Sequence, residues 1–229
     1  MKLWYQSDAP LDIDPLWDNY KRSLEKHINK LKMPETLVEI YGNELLNSNL
    51  SNLEKEKLRI NQIVNMAIKA QENHYDVFAV GCTLDPGRSK IRELLDIPSA
   101  FIGESSLNFA CTLGKNIGIV ARTKEISPKF KKNIQDYGLK NMIIKMSHLS
   151  FTLEQLALSF NNPESIIKEF LSQANKLVRR GVEVIIPGCG ILNMLLQAGQ
   201  NQKIKGIPIL DSVAVLIKTA ELFGSMVKR

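Results

Sequence analysis

Asp76-Val-Phe-Ala-Val-Gly-Cys82-Thr-Leu and Glu183-Val-Ile-Ile-Pro-Gly-Cys189-Gly-Ile are two versions of one pattern: an acidic residue, a short apolar run, then Gly-Cys. A short apolar run bounded by Gly and followed by amphipathic sequence reads as a buried strand of a parallel sheet feeding a helix. Each thiol is then expected at a strand's carboxyl end, where open α/β sheets bind their ligands. If the two halves of the chain are related by an approximate two-fold axis, equivalent thiols face one another across one cleft. Opposed thiols of that kind form an acid/base pair.

The sequence around both stretches supports a repeat. In the first half, Lys2 to Gln6 reads as a strand, and Leu16 to Leu31 as a helix with Leu16, Tyr20, Leu24, His27, Ile28 and Leu31 on one stripe. Thr36 to Tyr41 reads as a strand, the polar stretch Asn47 to Asn52 as a turn and helix start, and Leu53 to Asn73 as a long helix. That helix is expected to turn Leu58, Ile63, Met66 and Ala70 toward the core. Val77 to Val80 is the third strand, Arg88 to Leu95 a short helix after Asp85-Pro86-Gly87, Ile97 to Ile102 a fourth strand, and Gly103 to Leu113 a helix.

From Asn116 the order begins again. Strands are expected at Asn116 to Ala121, Asn141 to Met146, Val182 to Pro187 and Gly206 to Leu210, with helices at Pro128 to Tyr137, Pro163 to Arg180, Leu192 to Ala198 and from Asp211-Ser212 to about Phe223. The two cysteines are 107 residues apart and the first strands about 114, so the halves agree to within loop lengths. The fold class is therefore α/β: two pseudosymmetric lobes, each a mostly parallel four-stranded sheet flanked by helices, with the active site in the cleft between them. The division is expected near residue 113, giving lobes 1–113 and 114–229, with the C-terminal helix 212–229 able to pack back on the first. Ser147 to Asn162 breaks the repeat. It reads as a lid carrying a short helix over Leu153 to Phe160, or as an insertion covering a sheet edge.

Composition excludes several functions. The chain has 229 residues, 44% hydrophobic and 24% charged, enough for a sizeable core. No apolar run approaches the roughly 20 residues that span a bilayer, and the N-terminal sequence lacks a basic region followed by an apolar core, so a cytoplasmic protein with no membrane partner is expected. The net charge of +6 is spread over helix-like segments where Lys alternates with acidic residues. The densest cluster, Lys129, Lys131 and Lys132, has no accompanying reader motif, which argues against a nucleic-acid partner. Cys82, Cys111 and Cys189 show no C-x-x-C spacing, and His27, His74 and His148 no metal-ligand spacing. Reduced thiols and no metal are expected, with Cys111 a small hydrophobe on an apolar helix face.

With both Gly-Cys strand ends in hand, the chain resembles the aspartate/glutamate/hydantoin racemase superfamily, and most of all its hydantoin racemase branch. The likeness rests on Gly81-Cys82-Thr83-Leu84-Asp85-Pro86-Gly87 followed by Ile91-Arg92-Glu93, on Ile97-Pro98 with Gly103-Glu104-Ser105, and on Gly188-Cys189-Gly190 followed by Ile207-Pro208-Ile209-Leu210-Asp211. Aspartate and glutamate racemases tend to follow the first cysteine with Asn-Thr and the second with Thr-Glu or Thr-His. This chain has neither. It departs from its own branch as well, with Tyr5-Gln6-Ser7-Asp8 where relatives often have Asn-Pro-Asn-Thr, and Glu104-Ser105-Ser106 where Glu-Ala-Ala is more usual.

The resemblance implies an enzyme without cofactor, acting on a small-molecule substrate, in which Cys82 and Cys189 are the catalytic pair; homo-oligomers are common in the family. Racemisation beside a carbonyl removes a weakly acidic proton from one face and returns one to the other, which a thiolate and a thiol together can do. The enolate-like intermediate needs hydrogen-bond donors. The backbone N–H groups of Thr83 and Gly190 supply them if each cysteine is followed directly by a helix. Ser7, Thr83 and Thr123 carry hydroxyls on the same rim, and Glu104 and Ser105 complete the expected substrate-binding set. The same two-cysteine frame serves other superfamily reactions, namely amino-acid racemisation, maleate-type cis/trans isomerisation and decarboxylation. A non-catalytic small-molecule binding protein would share the fold without the chemistry.

Overall fold

A computed structural model describes residues 1–44 and 51–227. The chain forms two compact units: Met1–Ile102 together with the C-terminal stretch from Leu216, and Gly103–Val215. The expected division after Leu113 differs from this one by the length of a helix, which groups with the sequence that follows it.

The first unit contains β1 (Lys2–Gln6), α1 (Asp18–Leu31), β2 (Leu37–Tyr41), α2 (Asn52–Glu72), β3 (Val77–Val80), α3 (Arg88–Leu94) and β4 (Ser99–Phe101). Its four strands run parallel in the order β2-β1-β3-β4. The all-apolar run of β3 is buried throughout because helices cover the sheet. Helix α1 buries Tyr20, Leu24 and Ile28, one stripe at helical spacing. Helix α2 opens on a capping box in which Ser51 accepts from the Glu54 N–H and the Glu54 carboxylate accepts from the Ser51 N–H. The turn expected from Asn47 lies outside the described residues as far as position 50. Ile63, Val64, Ala67 and Ala70 of α2 meet Trp4, Phe78, Ile91 and Phe101 in the core. Leu58 does not: it is 41% exposed, because the buried stripe begins one turn later.

The second unit contains α4 (Ile102–Leu113, from Gly103), β5 (Asn116–Ala121), α5 (Ser127–Asp136), β6 (Ile143–His148), α6 (Leu153–Leu158), α7 (Glu164–Val178), β7 (Val184–Gly188), α8 (Gly190–Ala198), β8 (Lys203–Ile204), β9 (Ile207–Pro208) and the first residues of α9 (Ser212–Met226). Strands β6-β5-β7 form a parallel sheet. The fourth strand expected at Gly206 to Leu210 is reduced. Ile207 and Pro208 turn back to pair antiparallel with Lys203 and Ile204, leaving Ile209 as a single parallel bridge to Ile185 and Leu210 N–H donating to the Ile185 carbonyl at 2.8 Å. Pro208 has no N–H to extend a ladder. The segment that breaks the repeat forms α6, capped by a Thr152/Gln155 box, with Leu156 and Ala157 buried and the helix packed on α8.

Both halves of the repeated pattern hold their sheets in the same way. The acidic residue at its start, Asp76 or Glu183, accepts from the backbone at the entry of the central strand: Lys2 N–H at 2.6 Å, and Lys115 and Asn116 N–H at 2.9 Å each. The glycine at its end lies flush on the same central strand. A methyl at Gly81 would run into the Tyr5 ring, and one at Gly188 would stand 3.0 Å from Ala121 Cα and from the Val120 carbonyl oxygen. The rest of α9 returns to the first unit. There the buried Glu221 carboxylate accepts from Met33 N–H at 2.6 Å and pairs with Lys218 at 2.8 Å.

Candidate active site

Cys82 follows β3 and Gly81 directly, and the residue is partly exposed. The register of β1 on β3 runs from Leu3↔Val77 to Gln6↔Val80 and is extended by Gly81 N–H donating to the Gln6 carbonyl at 2.8 Å. Two residues further on, the register brings Asp8 beside Cys82, and Cys82 Sγ donates to Asp8 Oδ2 across a long 3.8 Å. The other carboxylate oxygen accepts from Asn43 Nδ2 at 3.1 Å, Asn43 Oδ1 accepts from Gln6 Nε2 at 3.1 Å, and Gln6 Oε1 accepts from Trp4 Nε1 at 3.0 Å. Gln6 and Asn43 are buried, so their hydrogen bonds are obligatory. A polar chain thus ties the ends of β1 and β2 to the Cys82 thiol.

Cys189 also follows its strand directly and is partly exposed, but what comes next differs. Its backbone is extended (φ −161°, ψ 134°), it is the N-cap residue of α8, and Gly190 is the first helical residue. The unpaired N–H groups of this first turn make it a locus of positive potential. Cys82 has no such helix. Asp85 N–H donates to the Cys82 carbonyl at 2.9 Å in a tight turn, Asp85 takes a left-handed φ of 48°, and α3 starts only at Arg88. The expected break at Asp85-Pro86-Gly87 and the helix from Arg88 are both present, so the condition for a helix-start N–H donor is met after Cys189 and not after Cys82.

Helix α8 is held from below. Asn193, fully buried, accepts from Ser212 N–H at 2.9 Å and donates to Asp211 Oδ1 at 3.1 Å, while its own N–H donates to the Cys189 carbonyl. Asp211 also accepts from Ala214 N–H at 3.0 Å, so it caps α9.

The remaining expected residues fall on the strand-end rims with varied commitments. Ser7 is buried and its Oγ accepts from Ala9 N–H at 3.2 Å, a turn-stabilising bond. Thr83 is buried. Glu104 and Ser105 lie in the first turn of α4, right after β4. Thr123 follows β5; the backbone N–H of Glu125 and, after it, the Thr123 hydroxyl hold the Glu125 carboxyl below its usual range. His148, at the end of β6, meets Ser127 at the start of α5, Oγ to Nε2 2.6 Å. Cys111 is half-buried rather than buried, and desolvation pushes its thiol up. Asp8 and Asn43 were missed as site residues, and the signal that finds them is the pairing register itself. Among the described residues, no three His, Cys, Asp or Glu side chains are grouped to hold a metal ion, and no helix is long and apolar enough to cross a membrane.

The family model for Asp/Glu/hydantoin racemases matches residues 18–220, nearly the whole of both units. The chain belongs to the Asp/Glu/hydantoin racemase family. Within this racemase family it is similar to the hydantoin racemase of Pseudomonas sp. (strain NS671), 27% identical over 176 residues, covering 76% of this chain and 68% of that protein. It is also similar to the hydantoin racemase of Paenarthrobacter aurescens, 26% identical over 155 residues, covering 66% and 62% of the two chains. The alignment thus spans less than two thirds of the second relative's length. Among solved structures, allantoin racemase from Klebsiella pneumoniae shares the fold at a TM-score of 0.81 with 15% identity, over 99% of this chain and 88% of that one. Membership of the family and these relatives make the chain an isomerase of the racemase type.

Proposed function

We propose that the protein racemises a 5-substituted hydantoin or a closely related cyclic ureide, including allantoin, by a two-base mechanism without cofactor. The observation that carries the reading is the repeated strand end: each unit of a racemase-family chain closes its third strand with Gly-Cys, and each cysteine is partly exposed. One thiolate takes the proton from the carbon beside the carbonyl, and its electron pair moves to the oxygen. The other thiol returns a proton to the opposite face.

The backbone N–H of Gly190, at the positive end of α8, is the donor best suited to the enolate oxygen, and the absent side chain admits close approach. Thr83, beside Cys82, offers its hydroxyl as the second donor. Ser7, Thr123, Glu104 and Ser105 complete the proposed substrate contacts, with Ser7 and Thr123 sharing their hydroxyls with Ala9 and Glu125. A cytoplasmic, homo-oligomeric enzyme belongs to the same reading.

The decisive measurement is loss of optical rotation with enantiopure 5-substituted hydantoins and allantoin, with free amino acids as controls. Activity on the ureides, absent when either Cys82 or Cys189 is replaced by Ser, is expected. Full racemisation in both single variants, or turnover of amino acids alone, would overturn the proposal.

A further inference from the structure

The two thiols carry opposite electrostatic surroundings, although the repeat gives them the same strand position. Beside Cys82 stands a carboxylate, 3.8 Å from the sulfur and fixed by Asn43. The equivalent place in the second unit is read from its register. Strands β5 and β7 pair from Ile117↔Val184 to Ala121↔Gly188, so Cys189 is the first residue beyond the ladder and opens α8. One strand end therefore pairs a thiol with an anion, and the other sets a thiol at the amino end of α8.

Other charged groups lie on the elements around each thiol. In the Cys82 turn, Asp85 is a second carboxylate, buried, and Arg88 begins α3. In the second unit, the Asp211 carboxylate accepts from Asn193 and Ala214, His148 bonds Ser127, and the Arg122 guanidinium donates to the Phe151 carbonyl at 2.8 Å. An anion beside a thiol opposes a second negative charge on sulfur; a helix amino end favours it.

We infer that the resting enzyme is asymmetric: Cys189 is the thiolate and Cys82 the thiol, with Asp8 as the group that keeps the proton on Cys82, and Asn43 and Gln6 as residues positioning Asp8. The inference rests on the proposed two-thiol reaction and says which thiol is the base at rest. From that state, Cys189 takes the substrate proton, forming S–H as C–H breaks and the electron pair passes to the enolate oxygen. Cys82 then gives its S–H proton to the opposite face of the carbon and becomes a thiolate beside Asp8. That unfavourable form returns to rest when Cys82 gains a proton from solvent and Cys189 loses one to it, so no net proton is consumed.

The test needs no substrate, which separates its failure from failure of the racemase reading. Iodoacetamide alkylation at neutral pH is followed at each cysteine by peptide mass spectrometry. Cys189 is expected to react at least about tenfold faster than Cys82, in keeping with a depressed thiolate cost at a helix amino end. Asp8→Asn, which keeps shape and removes charge, is expected to speed Cys82 severalfold and leave Cys189 unchanged. Ultraviolet thiolate absorbance supplies the second readout, one that access to the sulfur does not affect. Cys189→Ser is expected to remove most of the neutral-pH signal, and Cys82→Ser little of it. For the positioning role, Asn43→Ala is expected to reproduce the faster Cys82, and Asn43→Gln, which keeps the amide donor, to restore part of the slow rate. Equal reactivity of the two thiols, a faster Cys82, or an Asp8→Asn variant whose Cys82 rate is unchanged would overturn the inference, even if the optical-rotation assay succeeds.

Discussion

The two Gly-Cys strand ends are alike up to the sulfur and unlike beyond it. Before the thiol, both show an acidic residue holding the entry of the central strand and a glycine packed flat on that strand's exit. After it, one chain enters a tight turn with a left-handed residue, and the other enters a helix at once. The repeat therefore preserves what places a thiol and varies what sets its charge. A reaction that moves a proton from one face to the other needs the first in duplicate and tolerates difference in the second.

The largest effect is expected where the halves are equal. Replacing either cysteine by Ala should reduce racemisation by roughly 10³-fold or more, the usual scale for loss of a general acid or base. A loss confined to one cysteine, measured by polarimetry on both single variants, would break the equivalence of the halves. Next come the glycines. Gly81→Ala drives a methyl within 2.7 Å of Tyr5 Cε1, a ring with no exposed surface, and should cost about 2–3 kcal/mol, whereas Gly188→Ala, with its closest contacts at 3.0 Å, should cost about 1 kcal/mol. Chemical unfolding of both variants ranks them.

Of the same order is Asn193→Ala, which strips the partner of the buried Ser212 N–H and loosens α8 under Cys189 alone. A loss of about 1–3 kcal/mol is expected in the melting transition. It should be accompanied by slower alkylation of Cys189 with Cys82 unchanged. The smallest effect concerns Glu183. Backbone N–H groups of Asn116 and Lys115 hold its carboxyl below the ordinary carboxylate range. A depressed carboxyl contributes stability at pH values above its unfolded value and loses it as pH falls through the folded one. Glu183→Gln should therefore lower stability slightly at neutral pH, leave the acid limit little changed and so flatten the profile between them, as measured by unfolding from neutral pH through the acid range.

Much of this molecule was legible in the chain. The strands of the first unit were readable because four-residue and five-residue apolar runs such as Val77–Val80 have no other use than a two-sided sheet. Helix α1 was readable because Tyr20, Leu24 and Ile28 recur at helical spacing. The reduced fourth strand of the second unit was not. Gly206-Ile-Pro-Ile-Leu has strand composition, and only the competing hairpin with Lys203 and Ile204 decides how much of it pairs in parallel. The exposed Leu58 was misread for a related reason, since a stripe drawn on an amphipathic helix does not say where along its length the sheet begins. In the site, the thiols were legible as repeated words. Asp8 and Asn43 were not, because each is 74 or 39 residues from Cys82 and carries no local pattern.

By itself, the sequence determined that the chain repeats an α/β unit and that each copy ends its third strand in a thiol. Both follow from local order, since the runs, glycines and caps act on neighbours a few residues away. The tertiary structure alone decided what surrounds each thiol. Strand register sets Asp8 against one sulfur, and the onset of α8 sets a helix amino end against the other. Register and helix onset depend on how distant segments pair, and the charge beside a sulfur is a property of that pairing.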